Sequence, residues 1–134
     1  MTRPVALHKC EIRPGAEPQQ ISDAEAAIGT SLPPDYRCFL EETDGFEGFV
    51  DSNDEAFLSF WSVADIPELN GAYSVGEFLP GVVLLGTDGG DTGYGFTTRD
   101  GHPKYVSVPL IGMSPEALEE MGGSFLELLN RIGG

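Results

Sequence analysis

Residues 32–45, LPPDYRCFLEETDG, constrain this chain more than any other stretch, because they spell a helix with both ends marked. Pro34 holds φ near the helical value and lacks the N–H that a first turn leaves unpaired, so it suits the first helical position. Asp35 beside it favours the positive end of the helix dipole. Tyr36, Phe39 and Leu40 fall at i, i+3 and i+4 and form one apolar stripe. Gly45 follows as a left-handed stop. The spacing predicts a short, buried helix that carries no catalytic group.

Charge is the second constraint. Seven Lys and Arg stand against 22 Asp and Glu, a formal net charge of −15. Between Arg37 and Arg99 there is no Lys, Arg or His. That interval carries Glu41, Glu42, Asp44, Glu47, Asp51, Asp54, Glu55, Asp65, Glu68, Glu77, Asp88 and Asp91. Such a surface repels nucleic acid and anionic lipid, and it steers basic partners towards itself. It reads either as a solubilising face or as a docking surface for a basic protein. Neither reading includes a nucleic-acid or membrane partner.

With 134 residues the chain is expected to form a single domain over 1–134, in which 1–18 is an N-terminal extension or an edge strand. Its 18 Gly and 10 Pro read as turns in a strand-rich fold. No apolar run reaches the length of a signal peptide or a membrane span, so a soluble cytoplasmic protein is expected. Cys10 and Cys38 show no CxxC spacing and read as two reduced thiols.

The order of elements is α+β. Ser22 and Glu25 suggest a capping box for a helix over 23–28 stopped by Gly29. After the helix in 32–45, a strand can start at 48–50, and 51–54 is a polar loop. Residues 57–61 form an apolar strand, and 63–69 a helix kept short or kinked by Pro67. Val82, Val83, Leu84 and Leu85 suggest a central strand buried on both faces. Residues 93–97 and 105–108 flank Asp100 and Gly101 as a hairpin. Ser114 and Pro115 open a brief helix running to Met121, broken by Gly122 and Gly123. A last helix begins at Ser124, with Phe125, Leu128, Leu129 and Ile132 on one face.

Chemistry-bearing constellations are few. The run from Gly86 to Gly93 is glycine-rich but lacks the Lys of a phosphate-binding loop, and it reads as a turn needing positive φ. Asp51, Asn53 and Glu55 have the opening rhythm of a calcium loop. Ala56, however, replaces its turn glycine, and Ser62 stands where the bidentate Glu belongs. His8 and His102 are the only near-neutral acid–base groups, and neither neighbours a nucleophile setting. Cys38, one residue off the apolar stripe, reads as semi-buried packing. Trp61, the only Trp, reads as a core residue, with an exposed binding anchor as the other reading. No catalytic residue, cofactor site or metal site is expected.

Several of these segments, in order, resemble the SUKH superfamily, which includes yeast cell-wall-synthesis regulators of the Smi/Knr type and many bacterial toxin-immunity proteins. The resemblance is carried by Leu32, Pro33, Asp35, Tyr36, Phe39 and Leu40, with Ile21 and residues 25–29 as the lead-in. Residues 58–61 with Val63 and Ile66, the Gly86–Gly90 loop, and Ser124, Phe125, Leu128 and Leu129 extend it over about four-fifths of the chain. At the turn, Asp44-Gly45-Phe46 replaces the family's Asn-Gly-Gly. The resemblance implies an α+β fold: a mostly antiparallel curved sheet with N-terminal helices and a C-terminal helix packed on it.

It also implies action through protein binding rather than catalysis. One implied role is an immunity protein that occludes a cognate toxin, often a nuclease, whose basic groove an acidic inhibitor can fill. The other is a regulator or scaffold without a toxin partner; an enzyme is a distant third. The residues expected to meet a basic protein partner are Glu47, Asp51, Asp54, Glu55, Asp88 and Asp91, because loop side chains need not serve the core.

Overall fold

Val82–Thr87 are buried along their whole length, and their place in the sheet explains why. The computed structural model describes residues 7–12, 14–50, 57–99 and 101–133. Its strands are β1 (Leu7–Ile12), β2 (Phe46–Val50), β3 (Phe57–Phe60), β4 (Val82–Thr87), β5 (Thr92–Thr97), β6 (Lys104–Pro109) and β7 (Glu119–Gly122). They pair in chain order as one seven-stranded antiparallel meander, so β4 is the middle strand. Both of its faces are covered, which is what a continuous apolar run requires. The α+β class expected from the sequence is the one observed.

The first face of the sheet is closed by α1 (Pro18–Ile28), α2 (Pro34–Glu42) and α5 (Phe125–Gly133). Tyr36 and Phe39 from α2, Phe60 from β3 and Phe125 from α5 form a four-ring cluster. Leu58, Val83, Leu85, Phe96 and Tyr105 complete the floor beneath them. Asp35 accepts a hydrogen bond from the Tyr105 hydroxyl and another from the Phe125 backbone N–H, each at 2.7 Å. One carboxylate thus ties the start of α2 to β6 and to the start of α5.

The second face has a smaller cover. Val75 and Leu79 of the α4 region (α4 is Val75–Phe78) and Met113 pack on Val82, Leu84, Val106 and Val108. The cover spans β4 to β6 and stops there. Along β3, Leu58 and Phe60 point into the first-face core, while Phe57 and Ser59 alternate to the other side and stay half-buried. Trp61 continues that alternation just past the strand and lies at the margin of both clusters.

Several local expectations need correction. The first helix starts five residues early, at Pro18, because Glu17 and Gln20 form the reciprocal capping box, not Ser22 and Glu25. Glu25 instead accepts from the Leu32 N–H at 2.7 Å and lies 3.6 Å from Arg37, holding the α1–α2 link. Gly29, at φ 82°, ends α1 as expected. Gly45 is left-handed at φ 93°, but α2 has already ended at an extended Thr43, so Gly45 shapes the turn into β2. β2 accordingly begins at Phe46 rather than at residue 48.

The helix α3 (Asp65–Ala72) runs past Pro67, which sits in its first turn, where no internal N–H is needed. Asn70 on this helix has a structural role. Its amide accepts from Leu84 N–H (2.8 Å) and donates to Leu84 C=O (2.9 Å). Strand β3 pairs with β4 only at Ser59–Thr87 and Phe60–Gly86, so Asn70 serves the stretch of β4 that β3 leaves open. The expected helix over 114–121 is a 3-10 turn, Pro115–Ala117, followed by β7. Pairing with β6 and burial of Met121 outweigh the local helical pattern there.

Candidate protein-binding surface

The turn between β4 and β5 contains two of the acids expected to bind a partner. Asp88 Oδ1 accepts from the N–H groups of Gly90 (2.8 Å) and Thr92 (3.2 Å), bending the chain around its own side chain. Gly89 takes φ 83° and lies against the Phe57 ring, where a Cβ would collide. Asp91 Oδ1 accepts from Ile111 N–H at 3.0 Å, and its carbonyl accepts from Leu110 N–H at 2.6 Å. Both carboxylates therefore hold backbone as well as supplying charge. Asp88 is half-buried and Asp91 exposed.

Glu47 stands exposed on β2, where its Oε2 accepts from Ser59 Oγ at 3.1 Å across to β3. Strand register places Ser59 opposite Thr87, so Glu47 and the β4–β5 turn share one end of the sheet, separated by β3. Asp51, Asp54 and Glu55 lie outside the described residues.

Two other carboxylates are used internally, and neither role is visible in the sequence. Asp35 suits the helix dipole by its position, but nothing in linear spacing joins residue 35 to 105 and 125. Asp44 Oδ1 accepts from Val63 N–H at 2.7 Å and fixes the chain entering α3. The nearby Tyr36 hydroxyl is fully buried and has no hydrogen-bond partner among the described residues. Burial, with a smaller push from the charge on Asp44, raises the Tyr36 pKa far above its ordinary value. Burial raises Tyr105 likewise, reinforced by its hydrogen bond to Asp35. Tyr94 is raised by burial and then by Asp88.

Other candidates resolve simply. Cys38 is an exposed free thiol rather than a semi-buried packing residue. Two residues beyond Tyr36, it is turned about 200° around the helix, away from the stripe. Trp61 is neither fully core nor fully exposed: it is half-buried and stacks on Tyr73, with ring centroids 6.2 Å apart and planes within 10°. His102 is exposed in the β5–β6 connection. Among the described residues no three His, Cys, Asp or Glu side chains gather as metal ligands would, and no helix is long and apolar enough to cross a membrane.

Sequence comparison decides the family. The model of the SMI1 / KNR4 family (SUKH-1) matches residues 15–131, from just after β1 to the last turn of α5. The chain belongs to that family. A curated relative in Bacillus subtilis (strain 168), the uncharacterized protein YnaB, is 32% identical over 84 residues. The match covers 60% of this chain and 57% of YnaB. The segments that carry the SUKH resemblance, α1, α2, β3, the β4–β5 turn and α5, are those that build the first-face core and the acidic turn.

Proposed function

We propose that this SUKH-1 protein is a non-enzymatic binding domain that neutralises a cognate bacterial toxin by covering a basic surface, such as the nucleic-acid groove of a nuclease. It does so as a single domain in the cytoplasm and without a cofactor. The observation that carries this reading is the base-free interval, which supplies Glu47, Asp88 and Asp91 to one end of the sheet. Asp88 and Asp91 sit in a turn held by four hydrogen bonds from neighbouring N–H groups, so their charge is fixed in place before a partner arrives. Preorganised charge of one sign speeds encounter with the opposite sign.

The test is co-expression with the toxin domain encoded beside this protein's gene. Protection of the host, with a purified pair whose association slows as salt rises from about 0.01 to 0.15 M, is the expected result. The triple variant Glu47→Gln, Asp88→Asn, Asp91→Asn keeps oxygen acceptors for the turn and removes three charges. It should lower the association rate roughly tenfold at low salt and change dissociation little. Salt-independent association overturns the reading. Failure to protect points instead to a Smi/Knr-like regulatory or scaffold role.

A further inference from the structure

We propose that Asn70 is a deamidation site, kept shut in the folded protein by its own hydrogen bonds, whose conversion to aspartate or isoaspartate irreversibly releases α3 from β4. Of the chain's Asn residues, Asn53, Asn70 and Asn130, only Asn70 is followed by Gly. A glycine has no Cβ to obstruct attack by its own amide nitrogen on the side chain before it. Nothing in the packing asks for glycine at this position. A Cβ added to Gly71 would meet nothing within 4 Å, and its φ is not in the left-handed region. Glycine also weakens a helix relative to alanine, so α3 itself does not account for Gly71.

In the reaction the Gly71 nitrogen attacks Asn70 Cγ and closes a five-membered succinimide. The Cγ–Nδ2 bond breaks, and ammonia leaves with the proton that the Gly71 nitrogen gives up. Water then adds to one or the other ring carbonyl and opens the ring to aspartate or isoaspartate at position 70. The folded protein blocks the first step twice. Asn70 Nδ2 donates to Ile66 C=O at 2.7 Å and to Leu84 C=O at 2.9 Å, and Oδ1 accepts from Leu84 N–H at 2.8 Å. Cγ cannot swing onto the Gly71 nitrogen while these bonds hold. Gly71 also lies inside α3, where its N–H belongs to the helix ladder. Conversion to aspartate removes both donated bonds and turns a carboxylate oxygen towards two carbonyl oxygens, and isoaspartate adds a backbone methylene to the helix as well. Leu84 is fully buried on the middle strand, so water does not readily replace the lost donor. A chain that opens α3 long enough to react cannot close it again in the same way.

The test incubates the purified protein at mildly alkaline pH, in buffer and in urea concentrated enough to unfold it. Peptide mapping by mass spectrometry, with the aspartate and isoaspartate products separated, follows position 70, and Asn53 and Asn130 serve as internal references. Conversion at position 70 in urea should be at least about tenfold faster than in buffer, because the folded chain reacts only through openings of α3. In urea it should also outpace both references, and Gly71→Ala should slow it markedly, since the added methyl hinders the attack. Converted protein, separated and returned to buffer, should unfold at a lower urea midpoint than unconverted protein carried through the same steps, or fail to refold. Asn70→Asp should behave as the converted protein does. Should it not fold at all, that outcome agrees with release of α3, and the site is still tested by Gly71→Ala. Equal rates in buffer and urea overturn the protection. No preference for position 70 in urea, or a rate indifferent to Gly71→Ala, overturns the site, and an unchanged midpoint overturns the release. This site takes nothing from the proposed function, and either can fail alone.

Discussion

On the face covered by α1, α2 and α5, Tyr36, Phe39, Phe60 and Phe125 lie with every pair of ring centroids between 4.9 and 6.1 Å apart. On the opposite face Trp61 stacks on Tyr73 at its margin, and Phe57 is half-buried. The same strand supplies both sets, Phe60 to one and Phe57 to the other. Strand alternation decides which side chain goes where, but the number of helices above each face decides whether it is sealed. Three helices close the first face, joined by Ile66 of α3. The second has one short helix and a connecting segment, enough for β4 to β6 and no more. The closed face holds the larger buried cluster, and the half-covered face the smaller one.

The contrast breaks most visibly at Phe39. Phe39→Ala empties a site only 8% exposed in the four-ring cluster and should cost about 3–5 kcal/mol in urea unfolding. Tyr73→Ala on the other face should cost under about 1 kcal/mol. Similar losses at both sites would mean that the second face is core after all.

Asp35→Ala comes next. It leaves the Tyr105 hydroxyl and the Phe125 N–H without their acceptor, and about 2–4 kcal/mol should be lost. A loss below about 1 kcal/mol would show that water or another acceptor replaces the carboxylate.

The smallest of these effects sharpens the comparison through pH. Tyr36 and Tyr105 keep their protons in the folded protein well past the ordinary pKa of 10.0, whereas the unfolded chain releases them near it. The native state then binds more protons than the unfolded state. Stability is therefore fully present below about pH 10 and falls as pH rises above it, by about 1.4 kcal/mol per pH unit for each group. Tyr36→Phe should remove one such contribution and make the slope shallower, with Tyr94 and Tyr105 still raised. At neutral pH it should cost little, because the hydroxyl it deletes has no hydrogen-bond partner among the described residues. An unchanged alkaline slope would place the Tyr36 hydroxyl in contact with water.

Much of this was legible in one dimension where a local rule and the tertiary environment agreed. The Tyr36, Phe39, Leu40 stripe is buried as its period requires, and so is the all-apolar run of β4. Phe125, Leu128 and Leu129 form the buried side of α5. The acidic turn was legible as a turn, since Gly89 needs positive φ. That Asp91 binds a backbone N–H was not, because Asp91 meets Ile111 only after β5 and β6 have folded back, whereas the Asp88 bonds are local to the turn.

The chain's own sequence determined its family, its α+β order, the helix from Pro34 and the base-free acidic interval, because each depends on residue type at short spacing or on a simple sum of charge. Tertiary structure alone decided the rest. The segment ending at Gly122 has helical ends but becomes β7, because β6 offers it a ladder and the core takes Met121. Asn70 serves β4 because β3 is too short to reach Leu84. Trp61 stays at a margin because the cover over the second face ends before it. These outcomes turn on which groups a neighbour leaves unsatisfied or uncovered, and that is known only once distant segments share one space.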